Sequence, residues 1–340
     1  MRKLLNILYV TTPEAYLSKD GQNVVVSVKQ EEVFRIPAIN IEGIVTFGYM
    51  GASPGVMKLC SDNGISLTFL SSHGRFISRV QGATKGNVLL RKKQYFLSDD
   101  DSWSLHVAQI MIGGKIQNYR NILKRYMRDY GENEDISRVV RVLEQAKRDA
   151  LNTPDKSSLM GYEGLASNAY FEVFSVLILN QKTDFPFLGR NRRPPKDAVN
   201  AMLSFAYTLI ANDVAAALET VGLDPYVGFL HTLRPGRTSL ALDLMEELRA
   251  YLGDRFVLSL INKRQITGKD FLSQGDNGIV MTEKGKKTFI TAWQARKRET
   301  IIHPYLNEKI EIGLLPYVQA MLLARYIRQD IDDYPVFLIK

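Results

Sequence analysis

The chain has 340 residues and a mass of 38.5 kDa, with 45% hydrophobic and 24% charged residues and no low-complexity tract, which excludes a disordered or fibrous protein and leaves room for two domains. A net charge of +8 and a pI near 9.3 point to an acidic partner, nucleic acid first. The lone cysteine, Cys60, on the apolar helical pattern VMKLC, excludes an internal disulfide or multi-cysteine zinc site and fits a reducing cytoplasm; no apolar run reaches the ~18–20 residues of a membrane span.

Residues 1–84 are expected to form a small β-rich domain. MRKLLNILYV begins like a signal peptide, but Thr11-Thr12-Pro13-Glu14 follows without a cleavage pattern, so the segment reads as a strand. AYLS, NVVVSV, VFRIPA, GIVTFG, ISLTFLS and FISRVQ are further strand candidates, rich in β-branched residues and separated by turns. Asp20-Gly21 suits a hairpin turn between the first two of these. SPGVMKLCSDNG is the one helical insert, with Ser53 as N-cap and Pro54 at the first helical position. Twelve Lys/Arg against six Asp/Glu precede Tyr95, so much of the basic charge belongs to this part. Residues 85–101, where a basic cluster meets an acidic one, are placed as the linker.

Residues 102–340 are expected to be helical. Ser102 is the candidate cap of a long helix, SWSLHVAQIMIGGKIQNYRNILKRYM, with an apolar stripe through Val107, Ile110, Met111, Ile116 and Ile122. Gly113-Gly114 inside it suggests a kink or a close helix contact. DISRVVRVLEQAKRDALN is a second amphipathic helix, and a third runs from Gly161 to Leu179. In that third helix Glu163 falls in the first turn, where a carboxylate suits the macrodipole; capping is the plainer reading of this residue taken alone. Gly164, Ala166 and Ala169 would let another backbone approach. The loop at 185–200 is proline-rich and crowds Arg190, Arg192, Arg193 and Lys196, as a phosphate-contacting segment would.

The stretch 222–249, GLDPYVGFLHTLRPGRTSLALDLMEELR, carries His231 on an apolar strip, a turn at Arg234–Arg237 and a helical pattern with Leu240, Leu244 and Leu248 as its buried stripe. Asp243 and Glu246, three apart, would share a face and repel by ~0.2–0.5 kcal/mol unless a cation or base stands between them. One imidazole with carboxylates suits Mn or Mg, or Zn with an open position. A satisfied core histidine beside solvated acids accounts for the same residues. Beyond it, DRFVLSLINKRQI is a helix ending in Lys263 and Arg264, residues 275–291 alternate like a hairpin with Lys284-Gly285 at its turn, and helices are expected at 293–298 and 314–330.

GYEG at 161–164, RNRRPPKDAVNAMLSF at 190–205, GLDPYVGFLH at 222–231 and SLALDLMEELR at 239–249 follow the order of the characteristic blocks of one family. Along essentially its whole length the chain resembles the CRISPR-associated integrase-nuclease of spacer acquisition, CRISPR-associated protein one. The resemblance implies an α+β protein with a β-sandwich-like N-terminal dimerisation domain and a larger all-α catalytic domain. It implies a homodimer that works in the prokaryotic cytoplasm on double-stranded DNA, both captured fragment and CRISPR array, with a small ferredoxin-like partner, CRISPR-associated protein two. It leaves open whether an exonuclease of the protein-four type joins.

Carried over residue by residue, the resemblance makes Glu163 and His231 metal ligands. Glu246, in the place of the family's second acid, becomes the third, and Asp243 a supporting or alternate ligand in the catalytic set. The metal is Mg or Mn, and the implied reaction is transesterification by a DNA 3′-hydroxyl. Arg192 and Arg193 are the first candidates for phosphate contacts, followed by Arg237, Lys263 and Arg264. Asn118 and Asn200 sit in family-like blocks, though buried helix-packing amides explain them equally well; Tyr207 and Trp293 read as core in preference to DNA-stacking residues, and His73, His106 and His303 match no ligand spacing. Two rivals remain: a metal hydrolase of a small substrate, which needs no basic charge, and a non-catalytic DNA-binding architectural protein, which needs no acids.

Overall fold

The computed structural model describes the chain except residues 1–5, 13, 49–50, 73, 75, 81, 83–87, 193, 276–277 and 340. The β-branched segments at the N-terminus become strands. β1 (Ile7–Val10), β5 (Gly43–Phe47), β6 (Ser66–Leu70) and β7 (Phe76–Val80) form a mixed four-stranded sheet in the order β1-β5-β6-β7. β1, β5 and β6 run parallel, and β7 closes the sheet antiparallel. β2 (Ala15–Asp20), β3 (Asn23–Val28) and β4 (Glu31–Pro37) make a three-stranded antiparallel sheet. Asp20 pairs with Asn23, so Gly21 and Gln22 make a two-residue turn, with Gly21 at φ +57°.

α1 (Pro54–Asn63) crosses between the parallel strands β5 and β6. Its first turn is capped by the Ser53 hydroxyl, which accepts from the Val56 N–H at 3.3 Å. Leu17, Val24 and Val26 of one sheet, Ile44, Leu67 and Phe69 of the other, and Val56, Leu59 and Cys60 of α1 share one core. The opposite face of the four-stranded sheet, through Val45, Phe47 and Leu70, belongs to the larger core of the helical part. Every residue of β5 is therefore buried, as expected of a parallel strand covered on both faces.

The segment placed as a linker is instead largely helical: α2 spans Val88–Asp99. α3 (Asp101–Tyr130) starts one residue ahead of the expected cap, because Asp100 rather than Ser102 accepts from the N–H groups of Ser102 and Trp103, both at 3.0 Å. Gly113 and Gly114 do not break α3. A side chain at either would strike Leu151 or Val336, so they serve close contact. α4 is Glu134–Asn152, and α5 is Lys156–Glu172, capped by Asp155, which accepts from Ser158 N–H at 2.9 Å. α5 therefore begins five residues earlier than expected and places Glu163 two turns inside. The macrodipole argument for Glu163 fails for that reason. Gly164 has open space around it instead of a packed backbone.

α6 (Ala198–Val221) is the central helix of this part. Its length and mean hydropathy of 1.4 would suit a membrane span, but 61% of that stretch is buried within the protein, as in a core helix. α7 (Ser239–Arg249) buries Leu240, Leu244 and Leu248 completely. It passes through one π-helical turn at 250–254 into α8 (Arg255–Asn262). The expected hairpin with its turn at Lys284-Gly285 does not form. β8 (Phe271–Ser273) pairs with β9 (Ile279–Met281), and Thr282 caps α9 (Glu283–Arg298), so Lys284 and Gly285 lie in its first turn. β10 (Thr300–Ile302), β11 (Lys309–Glu311) and α10 (Leu315–Arg328) close the fold.

Candidate functional site

One cleft, with a volume of about 1520 Å³, gathers Glu163 from α5, His231 from the loop before α7, and Glu246 from α7. The local sequence explains how the loop delivers His231. At Gly228 a Cβ would stand 2.5 Å from Asp243 Oδ2 and 2.8 Å from the Ser239 carbonyl carbon, so only glycine lets the loop lie on the start of α7. Asp243, fully buried, then accepts from the N–H groups of Phe229 (2.7 Å), Leu230 (3.0 Å) and His231 (3.0 Å). The same carboxylate meets His231 Nδ1 at 2.6 Å. Downstream, Pro235 and Gly236 (φ +75°) turn the chain, with Arg237 N–H donating to the Arg234 carbonyl at 3.0 Å.

Asp243 and Glu246 thus part company. Both oxygens of Asp243 are engaged by the loop N–H groups and the imidazole, an arrangement that suits the supporting place in the expected catalytic set. A carboxylate on Nδ1 favours, in a neutral imidazole, the tautomer that offers Nε2 as a donor atom, the arrangement that prepares a histidine for a metal. Glu246 is answered by two cations. Arg249, three residues on, donates from its guanidinium to Oε1 at 2.8 Å, and the Lys115 ammonium of α3 lies 2.7 Å from Oε2.

Lys115 was not singled out from the sequence, and it is central. Its side chain is fully buried, and its ammonium bridges Glu246 to Glu163, whose Oε1 also accepts from Ser167 Oγ at 2.8 Å. Burial alone would push the Glu246 carboxyl up, but Arg249 and Lys115 outweigh it and hold it down to about 2. Burial also works against Glu163, and Lys115 again brings the carboxyl below its ordinary value. Burial opposes the charge on Lys115, while Glu246, Tyr119 and Glu163 raise its pKa above the ordinary value. Both acids are therefore held ionised. The position of Lys115 carried a readable signal: it falls in register with Ile112, Ile116 and Tyr119, on the buried stripe of α3, where a lysine needs anionic partners.

The donor types fit a divalent cation: two carboxylates held as anions and one imidazole nitrogen left free, on three separate elements around an open cleft. Among the described residues, however, no group of three His, Cys, Asp or Glu stands ready to hold a metal ion. The ammonium of Lys115 is what the two glutamates hold now.

The cleft is rimmed by cations. Arg192, Arg234 and Arg237 line it at or near the surface, and Arg190 and Arg249 flank the Tyr207 ring at 5.4 and 4.7 Å. The Tyr207 hydroxyl donates to the buried Asp254 at 2.5 Å, and burial with the Asp254 charge raises its pKa well above the ordinary value, which rules out an exposed nucleophilic phenolate. Lys263 and Arg264 are not among the residues lining the cleft, and Arg193 lies outside the described residues, as does His73. The long loop that carries Arg192 is pinned by Asn200, whose side chain accepts from Asn191 N–H at 3.1 Å and from Arg190 at 2.7 Å and donates to the Gly189 carbonyl at 2.9 Å. His303 is a satisfied core residue bonded to Gln319 at 3.0 Å, while His106 reaches Asp333 at 3.3 Å at the surface. Trp293 is buried in the core.

Residues 8–295 match the family model described as CRISPR associated protein Cas1. The chain is 48% identical to CRISPR-associated endonuclease Cas1 1 of Chlorobaculum tepidum over 99% of each chain, and 44% identical to CRISPR-associated endonuclease Cas1 2 of Rhodospirillum rubrum over all of both. It is 35% identical to a CRISPR-associated exonuclease Cas4/endonuclease Cas1 fusion of Geobacter sulfurreducens, over 98% of this chain and 60% of that one. Among solved structures, the fold is similar to a casposase bound to integration product (TM-score 0.83, 21% identity, covering 97% and 93%). It is also similar to a Cas1 protein from Thermotoga maritima (0.82, 22%, 98% and 100%) and to a chain of a Cas6-RT-Cas1–Cas2 complex (0.82, 20%, 99% and 36%). With a family model covering most of its length and relatives this similar end to end, the chain belongs to the CRISPR-associated protein Cas1 family.

Proposed function

We propose that the chain is a divalent-metal-dependent DNA endonuclease and integrase that inserts captured DNA fragments into a CRISPR array. The observation that carries this reading is the convergence of Glu163, His231 and Glu246 on one open cleft whose rim is basic. The relatives are named endonucleases, and a structural neighbour is a casposase bound to an integration product, in keeping with it.

In the proposed reaction a 3′-hydroxyl oxygen of the fragment attacks a phosphorus of the array strand. A new P–O bond forms, the bond to the strand's own 3′-oxygen breaks, and that oxygen leaves as a hydroxyl after taking a proton. One phosphodiester replaces another, so no ATP is needed. Glu163, Glu246 and His231 Nε2 would hold Mg or Mn, which when bound neutralises charge on the phosphate and favours the ionised nucleophile. Asp243 holds the imidazole in one orientation and one tautomer. Arg192 and Arg237 on the rim would fix the DNA through its phosphates without reading bases.

The same reading takes double-stranded DNA, a Cas2-type protein and a second copy of the chain as partners, with a Cas4-type exonuclease as a further one, in the prokaryotic cytoplasm. Fusions with Cas4 and a complex with Cas2 among the similar proteins support the protein partners, and the exposed apolar side chains of Val33 (58% exposed) and Ile39 (91% exposed) in the N-terminal part are in keeping with a second copy.

The test is strand transfer on a branched DNA that mimics an integration product, with Mn or Mg, using the parent, Glu163→Ala and His231→Ala. The expected result is metal-dependent resolution by the parent and a loss of at least about 10²-fold in both variants, the scale of a lost transition-state contact. Equal activity in all three proteins would place the chemistry elsewhere. DNA binding without any turnover, even with the small partner added, would leave an architectural protein.

A further inference from the structure

We infer that Lys115 is the resident counter-ion of the metal site, holding Glu163 and Glu246 together in the metal-free protein and competing with the divalent cation for the same two carboxylates. This rests on the metal reading of the site and specifies how the site is kept when no metal is there.

Three observations carry it. Lys115 is fully buried, and its ammonium contacts a carboxylate from α5 and one from α7, so a single cation on α3 ties together the two helices that bear the acids. No group of three ligating side chains among the described residues stands ready to share a metal, although the donor types of Glu163, His231 and Glu246 suit one and the Lys115 ammonium contacts both carboxylates. The acids also have other support: Arg249 remains on Glu246 and Ser167 on Glu163, so each carboxylate keeps a hydrogen-bond donor when the ammonium leaves.

The physical chemistry gives the direction. Two carboxylates facing each other without a cation are costly in a buried place, which is why a single-site deletion of the lysine should weaken the metal-free protein. A divalent ion in the same gap would meet a positive charge a few ångströms away, and that repulsion lowers its affinity. The lysine therefore favours a site that stays assembled while empty, at a cost in metal affinity.

The experiment uses the full chain, with Lys115→Met as the main variant and Lys115→Gln as a second that keeps polarity but not charge. Calorimetric titration with Mn2+ alone and thermal unfolding with and without Mn2+ are read side by side, with no need for DNA. The inference predicts that both variants bind Mn2+ more tightly than the parent, by at least about tenfold, since a unit charge next to the ion is removed. Their metal-free forms should melt lower and gain more from Mn2+ than the parent does, because stabilisation by a ligand grows with its affinity. Unchanged or weaker Mn2+ binding in a folded variant would overturn the inference and make Lys115 a structural cation only. Absence of Mn2+ binding in the parent and in both variants, with all three folded, would instead remove the metal reading itself and this inference with it.

Discussion

Glu246 and Glu247 are neighbours on α7, both are buried, and they face two different regions of the molecule. Glu246 looks into the cleft, where Lys115 and Arg249 hold its carboxyl down to about 2 against burial. Glu247 looks the other way, toward the C-terminal segment. There Tyr334 OH, Phe337 N–H and Gln319 Nε2 donate to it, all neutral, and burial pushes it up to about 7. The difference shows how one helix serves two purposes. A buried acid paired with cations is kept ionised and ready for a cation in exchange, whereas a buried acid served by neutral donors is an anchor for backbone. Asn118 completes the anchor. It donates to the Glu247 and Phe337 carbonyls and accepts from Ile339 N–H, each at 2.8 Å, one turn along α3 from Lys115.

The largest expected effect on this contrast comes from Asp243→Asn on the cleft side. The amide would turn a donor toward N–H groups and would no longer dictate the imidazole tautomer. Metal-dependent strand transfer should fall by ~10–100-fold, the usual consequence of removing such a partner from a ligating histidine. DNA binding, measured by mobility shift, should be unchanged. A parallel loss of DNA binding would show that Asp243 supports the fold of the rim and not the orientation of His231.

The rear region is tested by pH. The folded pKa of Glu247 lies above its unfolded value, so its contribution to stability is complete below about 4.5 and is lost as pH rises through about 7. Glu246 has the opposite sign: its contribution is present above about 4.5 and is lost as pH falls toward 2. In Glu247→Gln the neutral-pH loss should vanish. Urea unfolding at pH 5 and pH 8 should show the parent losing about 3 kcal/mol more than the variant between the two, as an upper bound for a shift of this size. An identical pH dependence in both proteins would mean that the neutral donors hold Glu247 as an anion after all.

The same contrast explains what was legible in the sequence. The strands of the N-terminal part could be read because β-branched content and turn residues agree with their burial, as in NVVVSV, where Val24, Val25 and Val26 are all buried. Helix starts were misplaced wherever a stronger cap lay upstream: Asp100 before Ser102, and Asp155 well before Gly161. The segment 275–291 alternates on paper, but Phe289, Ile290 and Trp293 also fit a helical face, and Thr282 as a cap decides for the helix. Glu163, His231 and Glu246 could be picked out because their blocks are ordered and local. Their convergence, and the lysine between two of them, depended on helices far apart in the chain. The partners of Asp243 were hidden for a related reason: helical spacing says which face it shares with Glu246 but not that a glycine-bearing loop will fold back onto it.

The smallest expected effect separates the cations of the cleft from one another. Lys115 and Arg249 are buried and engaged with carboxylates, so they have little charge to offer a phosphate. Arg192 is exposed, Arg237 is half-buried on the rim, and neither is paired with an acidic side chain among the described residues. Only rim cations should therefore release counter-ions when DNA binds. Arg237→Ala is expected to lower affinity equally for unrelated duplex sequences and to reduce the slope of log K against log salt by about 1, the signature of one lost phosphate contact. A loss confined to one DNA sequence would assign Arg237 to base reading. A slope that does not change would remove it from the DNA path and leave the Arg192 loop as the side of the cleft on which the duplex lies.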